Sequence, residues 1–130
     1  MEHHRYSQRS LDRLSNAHHD LELVMILALK KSKYDIGITE TLRTIERQKE
    51  LINQGKSTTM DSRHLPNKDG VSEAVDFVAY KNGKPTYEPS VLRKVAGAIF
   101  DAAFELGIHI QWGGHWESFQ DMPHIQLYRG

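Results

Sequence analysis

Two polar clusters in this chain have residue types that could do chemistry together. The first is Ser62-Arg63-His64 with, further on, Ala74-Val75-Asp76. The second is Asp121-x-x-His124, close after Trp112-Gly113-Gly114-x-Trp116. The types suit a hydrolytic zinc centre, which takes three protein ligands from imidazole and carboxylate and leaves one coordination position for water. Metal binding lowers the pKa of that water and polarises the carbonyl under attack. A separate carboxylate, free of the metal, then serves as base for the water and as proton donor to the leaving amine. His64, Asp76 and His124 would supply two nitrogens and one oxygen, and Asp121 would be the free carboxylate.

Composition narrows the alternatives. The chain has no cysteine, so a thiolate zinc site, a disulfide framework and a thiol nucleophile are excluded. Any metal must be held by His, Asp, Glu or water, and the eight histidines are the compositional hint that one is. Formal charge is zero with both signs interspersed, which argues against a nucleic-acid surface built on excess Lys and Arg. The longest apolar run, Leu21 to Leu29, is broken by Glu22 and falls far short of the roughly 20 residues of a membrane span. The opening MEHHRYSQRS lacks the apolar core of a secretory signal, so synthesis in the cytoplasm is expected. His3 and His4 read as a polar end. A length of 130 residues suits one domain with one core.

The elements that must position these residues follow from periodicity and turn chemistry. Ser7 caps a first helix with Leu11 and Leu14 on one side. Asn16 to His19 breaks the chain before a second helix over about Asp20 to Lys31, whose closing lysines suit the helix dipole. His18 and His19 at that break read as solvated loop residues. Tyr34 to Glu40 alternates as a strand. Thr44 caps a helix over Ile45 to Gln54, with Gly55 as its left-handed stop, and Arg43 sits at the handover from strand to helix. Lys56 to Gly70 is loop by its turn residues.

Ala74 to Tyr80 reads as a buried strand in which Asp76 is anomalous, since a core carboxylate is costly unless paired or bound to a cation. Lys81 to Lys84 reads as a hairpin turn. A helix over Pro89 to Leu106 carries Leu92, Val95, Ala96, Ile99, Ala103 and Leu106 on one apolar face, with Gly107 as its stop. Strands follow at Ile108 to Trp112 and His124 to Tyr128, with a loop from Gly113 to Met122 between them. The sum is an α+β domain: a small, mostly antiparallel sheet with helices packed on one face.

Taken singly, the candidate residues are ambiguous. An isolated His at a strand edge is more often packed or solvated than a ligand. Asp121 alone could be a turn residue ahead of Pro123, and Ser62 a loop hydroxyl. The His-Glu-x-x-His signature of many zinc proteases is absent.

In combination the motifs say more. Ser62-x-His64, Ala74-x-Asp76, Trp112-Gly113-Gly114-x-Trp116 and Asp121-x-Pro123-His124, together with SQRSL and ITETLRTIERQ earlier in the chain, resemble the LAS-type zinc peptidases. That group joins D-alanyl-D-alanine carboxypeptidases and dipeptidases to phage L-alanyl-D-glutamate endopeptidases, and the order of segments looks most like the small phage endolysins. The resemblance implies the LAS/hedgehog-type zinc peptidase fold as a single catalytic domain over 1–130. It implies one Zn2+ on His64, Asp76 and His124, with Asp121 as general base and acid. It matches Arg43 to an arginine that stabilises the developing oxyanion or anchors the substrate, and Ser62 and Gln48 to positions lining the site. Trp112 and Trp116 would either wall the substrate peptide or pack in the core. His115 could approach the cleft as a substrate contact, Glu117 competes with Asp121 as base, and His109 reads as structural.

One departure stands out. The usual pattern runs His-x-x-Gly-x-Ala-x-Asp, whereas His64 and Asp76 are twelve apart, with 66–73 lengthened. A surface insertion costs little and leaves the strand end of the motif intact, but it adjoins the cleft and makes Glu73 a minor rival for a site role. The expected activity is cleavage of the peptidoglycan stem peptide between L-Ala and D-Glu. The alternatives are a D,D-carboxypeptidase or dipeptidase, and a zinc-containing module that binds wall peptides without cutting. The phage reading implies a monomer that acts on the bacterial wall after release and is helped across the membrane by a separate holin-type protein.

Overall fold

The computed structural model describes residues 4–117 and 120–129, so His3 and part of the loop after Glu117 lie outside the described residues. The elements are α1 (Gln8–Leu14), α2 (His19–Lys31), β1 (Asp35–Glu40), α3 (Ile45–Asn53), β2 (Ala74–Lys81), β3 (Lys84–Thr86), α4 (Pro89–Leu106), β4 (Ile110–Trp112), a 3-10 turn (Gly113–His115) and β5 (His124–Leu127). The strands form one antiparallel sheet in the order β1-β2-β5-β4, with β3 hairpinned onto β2.

Local chemistry accounts for most boundaries. Ser7 Oγ accepts from Ser10 N at 3.1 Å to start α1, and Thr44 Oγ1 accepts from Arg47 N at 3.0 Å to start α3. Each satisfies a helix-end donor that has no intrahelical partner. The Asn82-Gly83 turn has positive φ at both residues, 54° and 76°, the backbone twist that a two-residue hairpin needs. It creates β3, a three-residue strand that sequence periodicity is too short to reveal.

Alternation along β2 sends Val75, Phe77 and Ala79 into the core with Ile36 and Ile38 of β1. On that face lie α2, through Leu21, Val24, Met25 and Ala28, and α4, through Leu92, Val95, Ala96 and Ile99. The other two helices are placed differently. α1 runs along the free edge of β1, with Ile38 N donating to Ser10 Oγ at 2.9 Å and Arg13 Nη1 donating to Ile38 O at 2.7 Å. α3 is tied to the segment after β1, where Gln48 Oε1 accepts from Arg43 Nη1 at 2.7 Å. Leu11 and Leu106, expected on apolar faces, are exposed. The strand expected from Ile108 begins only at Ile110, and Ile108 closes the α4 stop by donating its N–H to Ala103 O at 2.9 Å.

The lengthened 66–73 segment is tied down rather than loose. Asn67 Oδ1 accepts from Asp69 N and Val71 N at 2.8 and 3.2 Å. Ser72 bridges to the α1–α2 connection through Asn16 O and His18 N at 3.0 and 2.7 Å. Glu73 is buried and takes Asn67 Nδ2 at 2.9 Å, Arg63 Nη1 at 3.6 Å and the Arg129 guanidinium. It therefore belongs to a separate ion cluster that fastens the insertion to Arg63 before it and to Arg129, just past the chain's last strand. Burial would raise its pKa, but the Asn67 and Arg129 hydrogen bonds and the two arginine charges outweigh that and hold it below the ordinary 4.5.

A carboxylate whose folded pKa is depressed adds stability above its unfolded value and loses it as pH falls through the folded one. Glu73→Gln should therefore lose about 1–3 kcal/mol at pH 7. The gap to the parent in urea titrations should close as pH drops below 4.5; a gap constant with pH would remove the charge from the account.

Candidate metal centre and cleft

Three strand or loop ends bring the candidate ligands together. Asp76 lies on the face of β2 opposite Phe77 and pairs across the strands with His124 of β5. His64 comes from the loop before the insertion, held by Arg43 N donating to His64 O at 2.8 Å and by His64 N donating to Ser62 Oγ at 3.2 Å. His124 Nδ1 lies 2.9 Å and His64 Nε2 3.1 Å from the same atom, Asp76 Oδ1. Both rings are buried.

The outer nitrogens decide which atoms face the middle. His64 Nδ1 is 2.7 Å from Thr41 O, and a carbonyl can only accept, so the proton sits on Nδ1 and Nε2 presents a lone pair. That Nε2 is a buried polar atom without a hydrogen bond. His124 Nε2 is 2.9 Å from Gln126 Oε1, while the Gln126 amide nitrogen donates to Gln111 Oε1 at 3.1 Å. His124 Nδ1 is therefore its inward, ligating atom. Two imidazole lone pairs and a carboxylate oxygen pointing at one spot repel each other unless a cation lies between them. These three residues are the group among the described residues able to hold a metal ion, with one donor atom from each lying within 4.8 Å of the others. Thr41 O and Gln126 orient the rings, as outer partners of metal-bound histidines do. Neither was legible from sequence, because a backbone carbonyl and a glutamine amide carry no motif.

Electrostatics agrees. Burial would raise Asp76, but the two imidazoles against it, His124 and then His64, prevail and hold it far below the carboxylate range. Burial would lower His124, yet its hydrogen bond to Asp76 and that group's charge raise it. A proton on His124 thus relieves part of the conflict that a metal ion would relieve fully.

Asp121 stands just outside this triangle, with Oδ2 at 3.9 Å from His124 Nδ1. Burial and the Asp76 charge push its pKa up, against opposing pulls from His124, His64 and Arg43. Its place is set by the double glycine. Asp121 N donates to Gly113 O at 3.0 Å, and a Cβ on Gly113 would collide with the Asp121 carbonyl oxygen, while one on Gly114 would strike the Trp112 ring.

A cleft of about 470 Å³ opens over the triangle, lined by Arg43, Ser62, His64, Trp116, Asp121 and His124 and, on its α3 side, by Leu51 and Lys56. Trp116 sits with its ring 5.1 Å from that of His124. Three expected site residues lie elsewhere. Trp112 is in the core and donates Nε1 to Met122 O at 2.6 Å. His115 stacks on Phe100 at 5.7 Å and meets the Trp112 ring edge at 4.9 Å, outside the cleft lining. Gln48 is fully buried behind Arg43, accepting from its Nη1 at 2.7 Å and donating to Ser57 Oγ and Thr59 O. Glu117 and His109 are exposed. A larger cavity, about 720 Å³, lies at the far ends of β1 and β2 among Arg5, Lys33, Tyr34 and Tyr80, away from these ligands.

The chain is similar to known proteins along most of its length. The family described as phage L-alanyl-D-glutamate peptidase matches residues 2–127. The L-alanyl-D-glutamate peptidase of Listeria phage A118 is 43% identical over 98 residues, covering 74% of this chain and 32% of that protein. The chain thus spans about a third of that relative's length. The L-alanyl-D-glutamate peptidase of Escherichia phage T5 is 29% identical over 130 residues, covering 97% of this chain and 90% of its own. The crystal structure of the Serratia marcescens L-Ala D-Glu endopeptidase ChiX superposes with a TM-score of 0.88 at 38% identity, covering 98% of this chain and 92% of that one. The α+β architecture expected from sequence is the fold of that endopeptidase. With nearly its whole length matched by one family, this chain belongs to the phage L-alanyl-D-glutamate peptidases.

Proposed function

We propose that this chain is a zinc-dependent endolysin, a single catalytic domain that hydrolyses the L-Ala–D-Glu bond of the peptidoglycan stem peptide. The observation that carries the reading is the convergence of His64 Nε2, His124 Nδ1 and Asp76 Oδ1 beside a carboxylate that binds none of them tightly. The relatives named for that peptide bond supply the substrate. Imidazole and carboxylate donors suit zinc, which when bound supplies a Lewis acid and lowers the pKa of water.

The chain's own groups do the rest. Asp121 takes a proton from the attacking water and returns it to the leaving amine; burial and the Asp76 charge, which raise its pKa, make it a stronger base than an ordinary carboxylate. Arg43, at the cleft wall with its side chain 11% exposed, presents fixed donors to charge developing on the carbonyl oxygen. Trp116 gives the peptide an apolar wall, and the Ser62 hydroxyl a polar one. No helix among the described residues is long and apolar enough to cross a membrane; in this reading the enzyme works as a monomer and a separate holin-type protein gives it access to the wall.

Digestion of purified muropeptides by the zinc-loaded protein tests the reading. Mass spectrometry should show a new D-Glu N-terminus, whereas release of D-Ala, or intact substrate, would overturn it. Asp121→Ala should keep its zinc and its melting temperature while turnover falls on the order of 10²- to 10⁴-fold; near-parental turnover would remove Asp121 from the chemistry. A protonated imidazole cannot ligate, and His124 takes its proton above the ordinary 6.5. Zinc retention in equilibrium dialysis should accordingly fall as pH drops from 8 towards 5, with His124→Ala losing zinc at every pH in that range.

A further inference from the structure

Glu40 has no part in the chemistry above, yet β1 is bent to place it. Ile36 and Ile38 face the core, so strict alternation would turn Glu40 inward as well, where a lone carboxylate is strongly disfavoured. The register shifts instead: Ile38 pairs with Phe77, and Glu40 rather than Thr39 pairs with Asp76. Thr39 is the exposed extra residue of the irregularity, a device strands use beside active sites to re-aim a side chain. Directly paired residues share a face, so Glu40 stands next to the ligand carboxylate Asp76.

Like charges placed opposite one another repel, and the charge that compensates Glu40 is Arg43. Arg43 Nε donates to Glu40 Oε2 at 3.2 Å and Nη2 donates to Oε1. Both carboxylate oxygens grip one edge of the guanidinium, a two-point hold that fixes its plane. At the far side Nη1 donates to Gln48 Oε1 at 2.7 Å and reaches Ser62 Oγ, a cleft-lining hydroxyl, at 3.5 Å, which leaves the second N–H of Nη2 and the loosely held Nη1 N–H for a ligand. Without that hold, a long and flexible arginine side chain would spread over several rotamers.

We propose that Glu40 is the positioning residue of the cleft, holding the Arg43 guanidinium edge-on so that its remaining N–H groups face the substrate carbonyl. The kinetic consequence rests on the peptidase reading; the geometric one does not.

The test uses the full zinc-loaded chain with Glu40→Gln, which keeps the shape and gives up the charge, and Glu40→Asp, which keeps the charge on a shorter arm. In NMR spectra of arginine side chains, the Arg43 Nε–Hε signal should be protected from exchange in the parent, collapse towards the averaged position in Glu40→Gln and partly recover in Glu40→Asp. With zinc content and melting temperature retained, kcat of Glu40→Gln should fall on the order of 10- to 100-fold with KM little changed. In an Arg43→Ala background the same change should cost nothing more. A protected Arg43 signal in Glu40→Gln, or losses that add to those of Arg43→Ala, would overturn the proposal. If the signal collapses while the parent fails to cut the stem peptide, the positioning role stands and the substrate reading falls. If the parent cuts and the signal persists, the reverse holds.

Discussion

At one end of the central strand, two buried imidazole nitrogens lie within 3.1 Å of a single carboxylate oxygen, each ring turned so that its proton points away. Electron pairs arranged like this push apart, and burial removes the water that would screen them. A unit positive charge about 3 Å from a carboxylate is worth roughly 5 kcal/mol at an effective dielectric of 20, comparable to the whole margin by which small domains stay folded. A cation between these groups therefore decides whether this corner of the molecule is a liability or a brace. The raised His124 and the depressed Asp76 are two expressions of that one demand.

The sheet makes the convergence possible. Asp76 can face the cleft only because Phe77 and Val75 commit the other face of β2 to the core, and a slip of one residue would exchange the two. Apolar packing on the helix side thus fixes the register of a polar site on the opposite side. β5 carries the same logic: Ile125 is fully buried, so its neighbour His124 is turned towards Asp76. The glycine pair before Trp116 then lets the connecting loop fold closely enough for Asp121 to stand beside the ligands without joining them.

Much of this could be read from residue types alone. A carboxylate inside an otherwise apolar strand is conspicuous, and so are Asp-x-x-His behind a double glycine and an arginine where a strand hands over to a helix. Three things were hidden. Which nitrogen of each histidine points inward depends on Thr41 O and Gln126, contacts made across the fold. Glu40 looked like an ordinary strand end because a bulge leaves no trace in the alternation of so short a segment. Trp112 and Trp116 belong to one motif yet part company, because Trp112 ends β4 facing the core while the 3-10 turn swings Trp116 to the cleft. The insertion adjoins the cleft along the chain, yet its Glu73 is fastened to Arg63, Asn67 and Arg129 and takes no place in the site.

The first helix has a significance beyond packing. At the outer rim of β1, Ser10 and Arg13 engage the amide and carbonyl of Ile38, which denies those backbone groups to any neighbouring copy. The remaining edge strands, β4 and β3, are each three residues long, too short a template for another chain to zip onto. Copies of this protein crowded onto one surface would thus have little means of polymerising sheet to sheet, and local concentration could climb without fibres forming.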